Sequence, residues 1–113
     1  MGLVDEAMEL RLAAAIGDVA MMRTLVAQGA DIEEEEAGGL RPLHLAAAQG
    51  HVEAVKTLVE LQADIEAEAD GGMRPLHVAA LHGHAEAVKT LVELEADIEA
   101  EDPDGMRPLH LKH

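Results

Sequence analysis

Seven histidines and 23 carboxylates in 113 residues are the side chains here that can hold a metal or move a proton. His77, His82 and His84 lie close in sequence, as do His44 and His51. A structural zinc site needs paired Cys or His at short fixed spacings. These histidines match no such spacing, and Cys is absent. Ser and Tyr are absent too, so the usual acyl-transfer triads cannot be assembled. Thr24, Thr57 and Thr90 recur at one interval, which marks packing or a bond back to the helix. Asp102-Pro103-Asp104-Gly105 opens like a calcium loop but lacks the remaining ligand spacing. Carboxylate pairs are plentiful, yet none is set apart, and glycosidic chemistry needs a pair in a shaped cleft. The expectation is a protein with no catalysis, no cofactor and no metal.

The elements that position these residues follow from a repeat. Gly39, Gly72 and Gly105 each begin G-(L/M)-R-P-L-H, at intervals of 33 residues. L-V-E-L recurs at Leu58 and Leu91, and A-D-I-E at Ala30, Ala63 and Ala96. Pro42 and Pro75 suit the first position of a helix, where no backbone donor is needed. Leu43, Ala46 and Ala47 then share one face, and Gly50 and Gly83 end the run. A second helix is predicted from about Val52 to Leu61 and from about Ala85 to Leu94, with Val55, Leu58 and Val59 as its apolar stripe. An acidic stretch containing Gly pairs follows and reads as a hairpin-like turn. Helices shorter than about 12 residues do not stand alone in water, so each pair must stack on its neighbours.

The period, P-L-H-x-A-A at Pro42 and Pro75, G-H-x-E-A-V-K, and A-D-I-E together resemble the ankyrin repeat. The resemblance covers residues 5–113 and implies an all-α solenoid of helix-turn-helix units with short hairpin-like turns. Residues 5–37 are expected to form a capping repeat, with Glu9 and Arg11 turned to water. Residues 38–70 and 71–103 are full repeats, and 104–113 a truncated one. The family has Thr where Arg41, Arg74 and Arg107 stand. Its Thr caps the first helix, and its His ties neighbouring backbone. Arg cannot cap with a side-chain oxygen, a loss of about 1 kcal/mol per repeat, and the motif no longer secures the bonds of His44 and His77. The expected replacement is pairing of these arginines with turn carboxylates, worth roughly 1 kcal/mol or less each if exposed. Gln62 and Glu95 stand where the family has Gly, so those helix ends are expected to be looser or differently closed.

The family docks partners on its turn tips and on the outer face of its first helices. Here that implies Glu35, Leu40, Glu68, Asp70, Met73, Glu101, Asp104 and Met106 on the turns, and Gln49, Leu81 and His82 on the helices. Leu40, Met73 and Met106 would form an apolar ladder, and Met adapts to varied partners. The net charge is −15, and the three turns hold 14 of the 23 acids. Such a surface repels nucleic acid and anionic membrane and favours a Lys/Arg-rich protein or peptide. No apolar stretch approaches the length of a membrane span. The missing Cys fits a reducing, intracellular compartment. The leading expectation is a non-catalytic protein-binding module. The alternative is a designed scaffold or a fragment of a larger ankyrin protein, with no specific partner, given only fourteen residue types and near-identical repeats. In that case the uncapped carboxy-terminal face would self-associate, end to end or by domain swapping.

Overall fold

A computed structural model describes residues 6–94, with side chains from Glu9 onward. It contains three helical pairs: α1 (Glu6–Ile16) with α2 (Val19–Ala27), α3 (Pro42–Ala48) with α4 (Val52–Glu60), and α5 (Pro75–Leu81) with α6 (Ala85–Glu93). Pro42 and Pro75 open α3 and α5, as their missing N–H allows. The first helices α1, α3 and α5 stack in one layer, and the second helices α2, α4 and α6 in another.

The core is a seam between the layers. Leu10, Met22, Leu43, Leu58, Leu76 and Leu91 are fully buried, with small Ala13, Ala46, Ala79 and Ala87 letting the helices approach closely. Without Phe, Tyr or Trp, the seam is filled by aliphatic side chains at short range.

Each first helix ends at a glycine that a larger residue would disturb. Gly17 and Gly50 have φ of +79° and +73°. A Cβ on either would lie 2.9 Å and 2.7 Å from the rings of His51 and His84 respectively. Those rings reach back to the preceding unit: His51 Nε2 lies 3.0 Å from the Ala15 carbonyl, and His84 Nε2 2.9 Å from that of Ala48. One histidine and one glycine therefore lock each unit to the one before it.

The second helices differ from expectation at one place. Gln62 was expected to leave the end of α4 looser or differently closed, yet it takes the left-handed conformation at φ 78°. Ala63 N–H still reaches the Leu58 carbonyl at 2.9 Å, as Ala30 N–H reaches that of Leu25 at 3.0 Å after Gly29. The helix end keeps the closure seen after Gly29 at a residue that is not glycine, and the strain stays in the backbone. Glu95, the other such position, lies outside the described residues. Gln62→Gly should raise stability by about 0.5–1 kcal/mol, read as a higher urea midpoint with an unchanged slope.

Candidate partner-binding surface

The turns are ordered by backbone bonds before any side chain is considered. Glu36 N–H donates to the Leu40 carbonyl at 2.9 Å, and Ala69 N–H to that of Met73 at 2.7 Å. Each pair closes a tight turn through two glycines of positive φ, Gly38-Gly39 and Gly71-Gly72. Neighbouring turns are then joined. Asp70 N–H donates to the Gly38 carbonyl at 2.8 Å, and Asp64 N–H to Glu33 Oε2 at 2.7 Å.

The R-P-L-H block acts in two directions. Arg41 points back to the turn it has just left, reaching Glu33 at 3.4 Å and Glu35 at 3.2 Å. Arg74 repeats this with Glu66 at 3.7 Å and Glu68 at 3.1 Å. Glu33 thus holds Arg41 with one oxygen and the next turn's backbone with the other. His44 points forward. Its Nδ1 accepts the Arg41 backbone N–H at 3.1 Å, so the ring proton sits on Nε2. Nε2 donates to the carbonyls of Ala67 and Met73, each at 3.0 Å, in the following turn. The bonds of His44, left unsecured in the sequence by the neighbouring Arg41, are therefore intact. His77 Nδ1 likewise accepts the Arg74 N–H, at 3.2 Å.

The first unit reaches a similar arrangement with another residue. Arg11 was expected to face water, but its side chain is only 15% exposed. It lies 33 residues before His44. Its Nη1 donates to the Glu35 carbonyl at 3.1 Å, and it sits 3.9 Å from Glu34 and 3.8 Å from Glu36. An Arg and a His share the property that matters there, an N–H that reaches a turn carbonyl. Glu9 is exposed, as expected.

Of the sequence-derived binding residues, Glu35, Glu68 and Asp70 are exposed on the turns, and Leu40 and Met73 are half-buried one turn apart. The backbone bond from Asp70 to Gly38 brings the two tips together. Gln49, Leu81 and His82 are exposed at the ends of α3 and α5. His82 Nδ1 lies 2.9 Å from the Val78 carbonyl, and its ring stacks parallel to that of His84 with centroids 6.3 Å apart. Ile16, 60% exposed, occupies the same register as Gln49 and His82. The sequence reading passed over it, although the 33-residue spacing marks it. Glu101, Asp104 and Met106 lie outside the described residues.

Among the described residues, no group of three or more His, Asp or Glu is placed to hold a metal ion. No helix among them is long and apolar enough to cross a membrane. A family profile for ankyrin repeats, in three copies, matches residues 10–102. No curated protein matches the chain.

Burial holds the pKa of His44 below the ordinary histidine value; the carbonyls of Met73 and Ala67 oppose that shift, and the Arg41 charge adds to it. A lowered folded pKa means that the unfolded chain takes up this proton first. The contribution of His44 is then complete above about pH 6.5, the unfolded value, and is lost as pH falls through and below it. Thermal unfolding should show the midpoint falling between pH 7 and pH 5. His44→Gln should lower the midpoint at pH 7 and make its pH dependence flatter over that range.

Proposed function

The chain belongs to the ankyrin-repeat family, and from that premise we propose that it docks a Lys/Arg-rich segment of another protein against its turn rim. Ankyrin repeats are generally protein–protein interaction modules and typically non-catalytic, so recognition is the activity to be explained. The observation that carries the proposal is the charge left over after internal pairing. The two described turns hold nine carboxylates, at Asp31, Glu33–Glu36, Asp64, Glu66, Glu68 and Asp70. Arg11, Arg41 and Arg74 pair with six of them, leaving a net charge of −6 on that edge. The clamps hold those six in place, and Asp31 and Asp64 each accept a backbone N–H two residues on, from Glu33 and Glu66, at 2.9 Å, so the rim is both negative and preorganised.

In this reading Glu35, Glu68 and Asp70 line the rim with Leu40 and Met73 beside them. Gln49, Leu81 and His82 extend it onto the first helices, and Glu101, Asp104 and Met106, outside the described residues, repeat the pattern in the sequence. Nucleic acid and anionic membrane are disfavoured by the same field. Electrostatic attraction of this kind speeds encounter and weakens with salt. A second reading, self-association through the carboxy-terminal end of the stack, is favoured by Leu81, which is 65% exposed where α5 ends.

The test is retention of proteins from a cell lysate at low and at physiological salt, followed by titration of a retained basic segment. Expected is a partner that survives physiological salt, binds more weakly as salt rises, and loses several-fold affinity with Asp70→Asn. Retention that ignores both salt and this variant would contradict the proposal.

A further inference from the structure

Three of the four aspartates among the described residues are held in the same way. The Asp18 carboxylate accepts the Met21 N–H at 3.1 Å, that of Asp31 the Glu33 N–H at 2.9 Å, and that of Asp64 the Glu66 N–H at 2.9 Å. Each is followed by a β-branched residue, Val19, Ile32 or Ile65. Two heavy atoms on that Cβ crowd the amide nitrogen beside the aspartate.

Asp70 differs on both counts. It is exposed, and its carboxylate accepts no hydrogen bond among the described residues. It is followed by Gly71, which has no side chain to shield its nitrogen. In this tip the Asp70 N–H donates to the Gly38 carbonyl at 2.8 Å and the Gly72 N–H to that of Ala69 at 2.9 Å. The Gly71 N–H between them has no acceptor among the described residues. The preceding turn has Ala37 at this position and so carries no carboxylate there.

We propose that Asp70–Gly71 is a self-modification site, at which the chain isomerises to isoaspartate through a succinimide. The Gly71 nitrogen attacks Cγ of the protonated Asp70 carboxyl group. An N–Cγ bond forms, a Cγ–O bond breaks, and the hydroxyl leaves with the amide proton as water. Water then opens the ring. Addition at Cγ restores aspartate. Addition at the Asp70 backbone carbonyl breaks its bond to the Gly71 nitrogen, which stays joined to Cγ, and the old backbone carbonyl becomes a free carboxylate. One water leaves and one returns, so no other reactant is consumed.

The product keeps its charge, but the main chain now runs through Cβ and Cγ and is longer by one carbon–carbon bond, about 1.5 Å. The extra atom falls inside the turn that the Ala69 N–H closes on the Met73 carbonyl at 2.7 Å, and beside the amide that joins the two tips. Hydrogen bonds do not stretch that far. Asp70 Oδ1 also lies against Gly39, 3.0 Å from where a Cβ on that glycine would stand, and the longer chain displaces it. Isomerisation therefore loosens this turn from the one before it.

Incubation of the folded full chain at neutral pH and physiological temperature tests this, with peptide mapping over several weeks. An isoaspartyl peptide has unchanged mass, elutes separately, resists the endoproteinase that cuts before aspartate, and is methylated by protein isoaspartyl methyltransferase. Expected is isoaspartate that rises with time at Asp70 and stays at its starting level at Asp18, Asp31 and Asp64. Asp104, followed by Gly105 in the sequence, lies outside the described residues and is mapped as a separate peptide. Asp70→Glu keeps the charge but needs a larger ring, and should abolish the signal at this position. Aged wild type should unfold at a lower urea concentration than fresh protein, by a margin that Asp70→Glu removes. The Asp70→Asn chain closes the same ring with loss of ammonia, so its affinity is read on fresh protein. Isoaspartate that forms at Asp70 no faster than at the other three overturns the site. Its accumulation there with an unchanged urea midpoint overturns the effect on the turn.

Discussion

Among the described residues no helix is long enough to hold its own shape, and everything else follows from that constraint. The first helices α3 and α5 have seven residues each, and the second helices nine. An isolated helix of that length is mostly unfolded in water. Each pair therefore draws its stability from contacts with the next pair. The repeated side chains are the ones that make those contacts. His51 and His84 fill the glycine seats of the preceding units. His44 bridges its own helix start to the turn ahead.

The same constraint shapes the acidic rim. Stacking at short intervals forces carboxylates from successive turns together, which would repel at close range. Arg41 and Arg74 relieve that repulsion from inside each turn, and Arg11 does so from the first helix. These ion pairs are partly exposed, so their direct contribution to stability is small. Their larger effect is positional. By engaging Glu33, Arg41 helps hold the oxygen that accepts the Asp64 N–H of the next turn. Arg41 stands at the start of α3 without a side-chain cap bond to it and serves instead as a turn clamp, which couples fold to surface.

Much of the fold was legible in the sequence because the repeat is nearly exact. Pro42, Pro75, Gly50 and Gly83 fixed where the first helices start and stop. The second helices end at Glu60 and Glu93, one residue short of the reading. The Arg–carboxylate pairs were also legible, since opposite charges six and eight residues apart flank one turn. Two features were not. Arg11 does not look like a histidine until its position is counted from His44 and its donor role is compared. Gln62 announces an altered helix end, but only its observed φ of 78° and the kept Ala63 to Leu58 bond show that the glycine geometry prevails. For the surface, the sequence placed the exposed residues individually. Register in three dimensions was needed to join Ile16 to Gln49 and His82.

The central claim is that the turns form one docked, preorganised rim and are not independent loops. Amide hydrogen exchange measured by NMR tests it most directly at Asp64 and Asp70, whose side chains are exposed. Their N–H groups donate to the neighbouring turn. The account predicts strong protection of both amides, comparable to amides within the stacked helices. Exchange at the rate of an unstructured chain would mean that the turns are not joined, and would contradict the account.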